Sequence, residues 1–140
     1  LSAFYGVLRP LDRIAPYRLE MQCKIKVEGK SLYRFWADDW YRTLFCTGEP
    51  VINLASAEYF KAITPFLQER DRFITCEFLV QRHGKWKMLP TFAKMARGQM
   101  AKFLIQQRLN EPEELKKFCW DGYEYEKTYS SNSKYIFVKQ

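Results

Sequence analysis

A single histidine, His83, and the absence of any CxxC pair leave this 140-residue chain short of the ligand spacings that metal sites use. Cys23, Cys46, Cys76 and Cys119 lie far apart. Free, mostly buried thiols are the reading, with no metal and no cofactor. No glycine-rich loop follows a candidate strand, so there is no nucleotide-binding fingerprint. No apolar run approaches the length needed to cross a bilayer, and the N-terminus lacks a cationic segment followed by an apolar one. The expectation is a soluble, intracellular protein without a membrane partner. Internal repeats and low-complexity segments are absent too.

What is present is apolar and basic. With 47% hydrophobic and 17% aromatic residues, the chain is long enough for one globular domain with a real core. A formal charge of +7 and a pI near 9.3 favour anionic partners, nucleic acid or phosphate-bearing ligands.

The organising stretch is Thr91 to Leu109, TFAKMARGQMAKFLIQQRL. At about 100° per residue, Phe92, Ala93, Ala96, Met100, Phe103 and Leu104 share one side and Lys94, Arg97, Lys102 and Arg108 the other. It contains no Asp or Glu. The outer face is therefore either a solvated helix surface or a surface that meets phosphate.

In chain order, Leu1 to Leu8 reads as a buried strand. A chain that begins at Leu1, inside a strand, is expected to be a fragment or a processed product. Pro10 and Pro16 make Arg9 to Met21 a stiff irregular connection. Its Arg9, Asp12, Arg13, Tyr17, Arg18 and Glu20 either form a binding or catalytic constellation or pair with one another. Lys24 to Val27 is a short strand ended by a Glu28-Gly29-Lys30 turn. Ser31 caps one helix running to Cys46, with Phe35, Trp36 and Trp40 on its core face and Asp38 and Asp39 solvated. Val51 to Ser56 reads as a buried strand, and Ser56 caps a helix that Pro65 closes. Asn53, Ser56, Glu58 and Lys61 are the polar residues at this junction, placed either to hold an anion or to satisfy backbone groups. Arg72 to Gln81 and Lys85 to Leu89 form a hairpin about Arg82-His83-Gly84, with Ile74, Cys76, Phe78 and Val80 facing the core. Arg82, Lys85 and Lys87, interleaved with Trp86, add positive charge near the start of the central helix. Asn110 caps a helix over Glu111 to Cys119, and Tyr123 to Thr128 and Lys134 to Lys139 close the chain as a hairpin. Irregular alternation of strands and helices predicts an α+β fold, a mixed sheet with packed helices in a single domain.

The runs YGVLRPLD (Tyr5 to Asp12), PYRLEM (Pro16 to Met21), LYRFW (Leu32 to Trp36), NLASAEYFK (Asn53 to Lys61) and AKMARGQMAKF (Ala93 to Phe103) resemble the YaaA family of bacterial peroxide-stress proteins. The closing GYEYE and SSNSKYIFVK are similar to that family's tail. The resemblance covers slightly more than the C-terminal half of a family member. It implies a cytoplasmic α+β protein that binds DNA and helps cells survive hydrogen peroxide, partly by keeping reactive iron low; it implies no established enzymatic reaction. The matching polar positions are Arg9, Asp12, Tyr17, Arg18, Glu20, Asn53, Ser56, Glu58, Tyr59, Lys61, Lys94 and Arg97, with Gly98. The family pattern has two lysines before Ala-Arg-Gly, whereas the second is Met95 here, and Ala3, Gln22 and Ala37 stand where glycines are expected.

On this reading Lys94, Arg97, Lys102 and Arg108, with Arg82, Lys85 and Lys87, neutralise phosphates of double-stranded DNA, giving salt-sensitive binding with little base readout. The rival is an enzyme or small-anion site in which Arg9 and Arg18 hold the ligand and Asp12, Glu20 or Glu58 serves as acid or base. Direct iron handling would need clustered ligands that one histidine and scattered cysteines do not supply.

Overall fold

The computed structural model describes residues 1–140, and the chain forms two compact units, Leu1–Glu49 with Ala55–Asp71 and Pro50–Leu54 with Arg72–Gln140.

The first unit begins with a tight turn where a strand was predicted. Ser2 and Gly6 exchange backbone hydrogen bonds of 2.8 and 2.9 Å, the Ser2 hydroxyl accepts the Tyr5 N–H at 2.9 Å, and Gly6 takes a φ of +79° that reverses the chain. The proline-bearing connection that follows has no regular structure through Leu19 and Glu20, as its prolines dictate. A small hairpin comes next, β1 (Lys26–Val27) and β2 (Lys30–Ser31), turning through Glu28 and Gly29, both at positive φ.

The single helix predicted from Ser31 to Cys46 is two helices, α1 (Leu32–Trp36) and α2 (Asp39–Phe45). The break falls at Ala37, whose φ of 42° and ψ of −121° lie outside any helical region. Ser31 occupies the cap position of α1, but its side chain makes no capping bond. The two tryptophans still meet across the break, their ring centroids 5.7 Å apart, but they are buried to different depths. Trp40 is buried and stacks on Tyr59, while Trp36 is half-buried and donates its indole N–H to the Ala3 carbonyl at 3.0 Å; Phe35, assigned to the core face, is exposed. The helix predicted after Ser56 is one turn, α3 (Ala57–Phe60), followed by a 3-10 turn over Thr64–Phe66 that contains Pro65.

The second unit is built on a five-stranded mixed sheet: β3 (Val51–Asn53), β4 (Phe73–Arg82), β5 (Lys85–Lys87), β6 (Tyr123–Tyr125) and β7 (Lys134–Lys139). The order is β3-β4-β7-β6, with β3 and β7 parallel to β4, β6 antiparallel to β7, and β5 antiparallel to the end of β4. The predicted alternation along β4 holds: Ile74, Cys76, Phe78 and Val80 are buried and the residues between them are not. In register beside them on β7, Tyr135 and Phe137 face the same way. Helix α4 (Pro90–Gln107) covers that face with Ala93, Ala96 and Met100, and Leu115, Phe118 and Tyr123 complete the core. His83 and Gly84, both at positive φ, make the tight turn between β4 and β5, the geometry that matches strand twist.

The segment predicted as a helix capped by Asn110 is instead a 3-10 helix, Pro112–Lys117, capped at Glu111. Pro112 and two adjacent glutamates favour a helix start, yet the segment is too short to offset the cost of α-helix nucleation. All four thiols are free, but only Cys76 is buried; Cys23, Cys46 and Cys119 lie exposed outside helices and strands. The architecture is α+β. No helix is long and apolar enough to cross a membrane.

Candidate nucleic-acid interface

Helix α4 forms because Pro90 presets the first turn and seventeen further residues carry an apolar stripe. The stripe that meets the sheet is narrow, centred on Ala93, Ala96 and Met100, because small side chains let the helix approach closely. Lys94 and Lys102 lie well away from that line and are exposed. Arg97 departs from the expectation of a fully outward cation. It lies on the flank of the buried stripe, half-buried, with Nη2 donating to the Met88 sulfur at 3.6 Å. Burial pulls its pKa down and the Glu77 carboxylate pulls it back up, so the guanidinium stays charged. Arg108 lies beyond the helix as its C-cap, in the left-handed conformation with φ 50° and ψ 46°, and its N–H donates to the Ile105 carbonyl.

The hairpin supplies the remaining cations. Arg82 pairs with Lys85 and Val80 with Lys87, so all three cationic side chains leave the sheet on the face that α4 covers, near the helix start. All three are exposed. From Phe78 to Asn110 the chain has seven of its 23 Lys and Arg and none of its 16 Asp and Glu, so the residues outside that segment balance and it alone carries the net +7. The ion pairs of this unit, Arg72–Glu113, Lys117–Glu114, Lys134–Glu77 and Lys139–Asp121, involve none of the seven. The segregation is countable in the sequence, where helix periodicity alone does not reveal it.

The second set of candidate residues is divided. Asn53 belongs to the sheet, buried on β3, and its amide donates to the Thr75 hydroxyl at 3.1 Å on the neighbouring strand. In the first unit Arg9 and Asp12 pair with each other at 3.0 Å, and Asp12 also accepts the Arg9 backbone N–H at 2.8 Å. Those bonds hold the Asp12 carboxyl below its ordinary pKa. Arg9 and Arg18 line separate open depressions, one of about 430 Å³ bounded by Arg9 to Asp12 and one of about 350 Å³ bounded by Arg18, Leu19, Glu20, Gln22 and Cys23. They do not converge.

Tyr17, Glu20, Tyr33 and Glu58 do gather, all close enough to Tyr59 to act on its phenol. Burial raises the Tyr59 pKa most, and Glu58, Tyr17, Glu20 and Tyr33 raise it further. The Tyr33 hydroxyl donates to the Glu58 carbonyl at 2.8 Å, and the Lys61 ammonium sits 5.9 Å from the Tyr33 ring centre. One carboxylate oxygen of Glu58 is buried with no hydrogen-bond partner. Ser56 makes no side-chain cap, and its carbonyl accepts the Tyr59 and Phe60 N–H groups. Tyr33 is the member that sequence reasoning left out, since its spacing within LYRFW marks it only as a helix residue. No group of three or more His, Cys, Asp or Glu is arranged to hold a metal ion.

The family model described as peroxide stress protein YaaA matches residues 1–129. The chain belongs to the YaaA peroxide-stress family. Among YaaA relatives, a UPF0246 protein of Clostridioides difficile is 45% identical over 141 residues, covering 100% of this chain and 57% of the relative. UPF0246 proteins of Ligilactobacillus salivarius and Lactobacillus johnsonii are 42% and 46% identical over 140 residues each, covering 99% of this chain and 57% and 56% of theirs. The chain thus spans little more than half the length of the curated relatives it matches. The residues that carried the resemblance to YaaA fall in both units: the Arg9 loop and the Tyr59 cluster in the first, α4 and Asn53 in the second.

Proposed function

We propose that this chain binds double-stranded DNA through the cationic segment that runs from Arg82 to Arg108, and that it does so as a cytoplasmic member of the peroxide-stress response, limiting iron-driven damage to DNA. The observation that carries the reading is charge segregation: seven cations without a carboxylate among them, on one hairpin and one helix. The strand-and-helix scaffold holds most of these charges out to solvent, Arg97 being half-buried, and each phosphate contact they make releases condensed counterions. Recognition is of the DNA backbone, with no base-reading element required.

Five cations are exposed along the segment's hairpin and helix: Arg82, Lys85, Lys87, Lys94 and Lys102. Engaging one phosphate each, they give a log–log salt slope of about −4.5. The test is a fluorescence-anisotropy titration of the intact protein against duplex DNA across a salt series. Removing Lys94 and Lys102 together is expected to weaken binding and flatten the slope by about 1.8. An unchanged slope in a folded double variant would remove α4 from the interface.

A second reading, a small-ligand or catalytic site, draws on the unpartnered Glu58 oxygen beside the Tyr33 and Tyr59 phenols. That constellation favours a ligand that donates hydrogen bonds over an anion. Replacing Glu58 by Gln without loss of DNA binding or peroxide resistance would leave this reading no role.

A further inference from the structure

Gly98 sits in the middle of α4, exposed, with no positive φ, and a Cβ built on it would meet nothing within 4 Å. Glycine at a helix interior is disfavoured relative to alanine because it leaves the unfolded chain more freedom to lose. Elsewhere in this protein glycine has a local reason. Gly6, Gly29, Gly48, Gly84 and Gly122 all adopt positive φ, and at Gly6 a Cβ would press on Trp36 at 3.0 Å. Gly98 has neither, so nothing within this chain compensates the helix for it.

Its position supplies a reason from outside. Lys94, Gly98 and Lys102 follow one another at intervals of four, along a single ridge of the helix surface. The two lysines are exposed and free of ion pairs, and their Cα atoms are about 12 Å apart along the axis. Between them the ridge has a notch one side chain deep. We infer that Gly98 is the close-approach point for the DNA backbone: a phosphodiester strand crosses α4 there, against bare helix, while Lys94 and Lys102 engage phosphates on either side. A strand held off by a side chain at 98 would have to be reached by both lysines at greater extension. The contact at the notch itself is van der Waals and Cα–H to phosphate oxygen, because the Gly98 N–H is already engaged within the helix.

This inference rests on the DNA-binding reading, and the test separates the two. Gly98→Ala and Gly98→Leu are made in the intact protein, and thermal melting without DNA is measured beside duplex-DNA anisotropy over a salt series. The two readouts are expected to move in opposite directions. Gly98→Ala should raise Tm, by roughly 4 °C, while weakening DNA binding about tenfold and flattening the salt slope by about 0.9 for each phosphate that the lysines no longer reach; Gly98→Leu should weaken binding further. DNA binding unchanged in both variants would overturn the notch and leave the cationic segment standing. A lowered Tm in Gly98→Ala would overturn it too, by showing that the notch seats another part of the protein. Wild-type protein that fails to bind duplex DNA would overturn both readings.

Discussion

Replacing Ala37 by glycine is expected to stabilise the protein, against the ordinary effect of that substitution. Ala37 follows α1 with φ 42° and ψ −121°, a region that L-residues rarely enter because Cβ crowds the backbone. Holding alanine there costs about 1–3 kcal/mol, which glycine does not incur. Against that, glycine makes the unfolded chain more costly to order by about 0.4–1 kcal/mol. The balance is a gain of about 1 kcal/mol. Were the segment a continuous helix from Leu32 to Phe45, as its composition suggests, the same change would cost about 1 kcal/mol. The sign therefore decides between the two geometries. Urea denaturation of both proteins measures it, with a midpoint raised by about 0.5 M at unchanged slope as the expected result. A midpoint lowered by a similar amount would refute the break at Ala37.

Two other positions carry predictions of different kinds. Burial pushes the Cys76 thiol up to about 12, so a thiol reagent at neutral pH should label Cys23, Cys46 and Cys119 in the folded protein and reach Cys76 only on unfolding; fast labelling of a fourth thiol would contradict the buried face of β4. Gly6→Ala places a Cβ 3.0 Å from two ring atoms of Trp36 on a backbone at φ +79°. Since Trp36 is tethered to the Ala3 carbonyl, it yields poorly, and a loss of about 2–4 kcal/mol is expected in denaturant unfolding.

Legibility in the sequence followed the range of the interactions involved. The β4–β5 hairpin and the buried face of β4 were readable because turn chemistry and two-residue alternation are local properties. Helix α4 was readable for the same reason, but the depth to which Arg97 sinks was not. Its place on the flank is countable, since at about 100° per residue Arg97 stands about 40° from Ala93 and about 20° from Leu104; its long apolar stem allows half-burial while the charge is kept. The break at Ala37 is hidden from helix propensity because alanine is the best helix former; the one signal of it is the family resemblance, which expects glycine at 37, where φ is 42°. Leu1 to Leu8 reads as a strand because a short apolar run has no period to test, and the hydrogen bonds between Ser2 and Gly6 make it a turn. At the candidate sites, Arg9 and Asp12 lie three apart and pair locally, an outcome that spacing allowed without deciding. The gathering of Tyr17, Tyr33 and Glu58 around Tyr59 joins segments up to forty-two residues apart and had no signal in any one of them.

The distribution of charge is the strongest argument that α4 and its hairpin face a polyanion. The acids that would neutralise the segment exist in this chain, but all 16 lie outside it, equal in number to the cations outside it, and only Glu77 acts on one of the seven, Arg97. Concentrating seven like charges on one hairpin and one helix sets them against one another and costs stability that an even spread would avoid. Folding alone gives no reason for that arrangement, since the core beneath it is made by Ala93, Ala96, Met100 and the face of β4 whatever stands outside. A neutral outer face would pack as well. The same holds for the bare backbone at Gly98. Two features that each work against the isolated helix coincide on one surface, and a phosphate backbone lying on that surface offsets both, the charge by neutralisation and the missing side chain by contact.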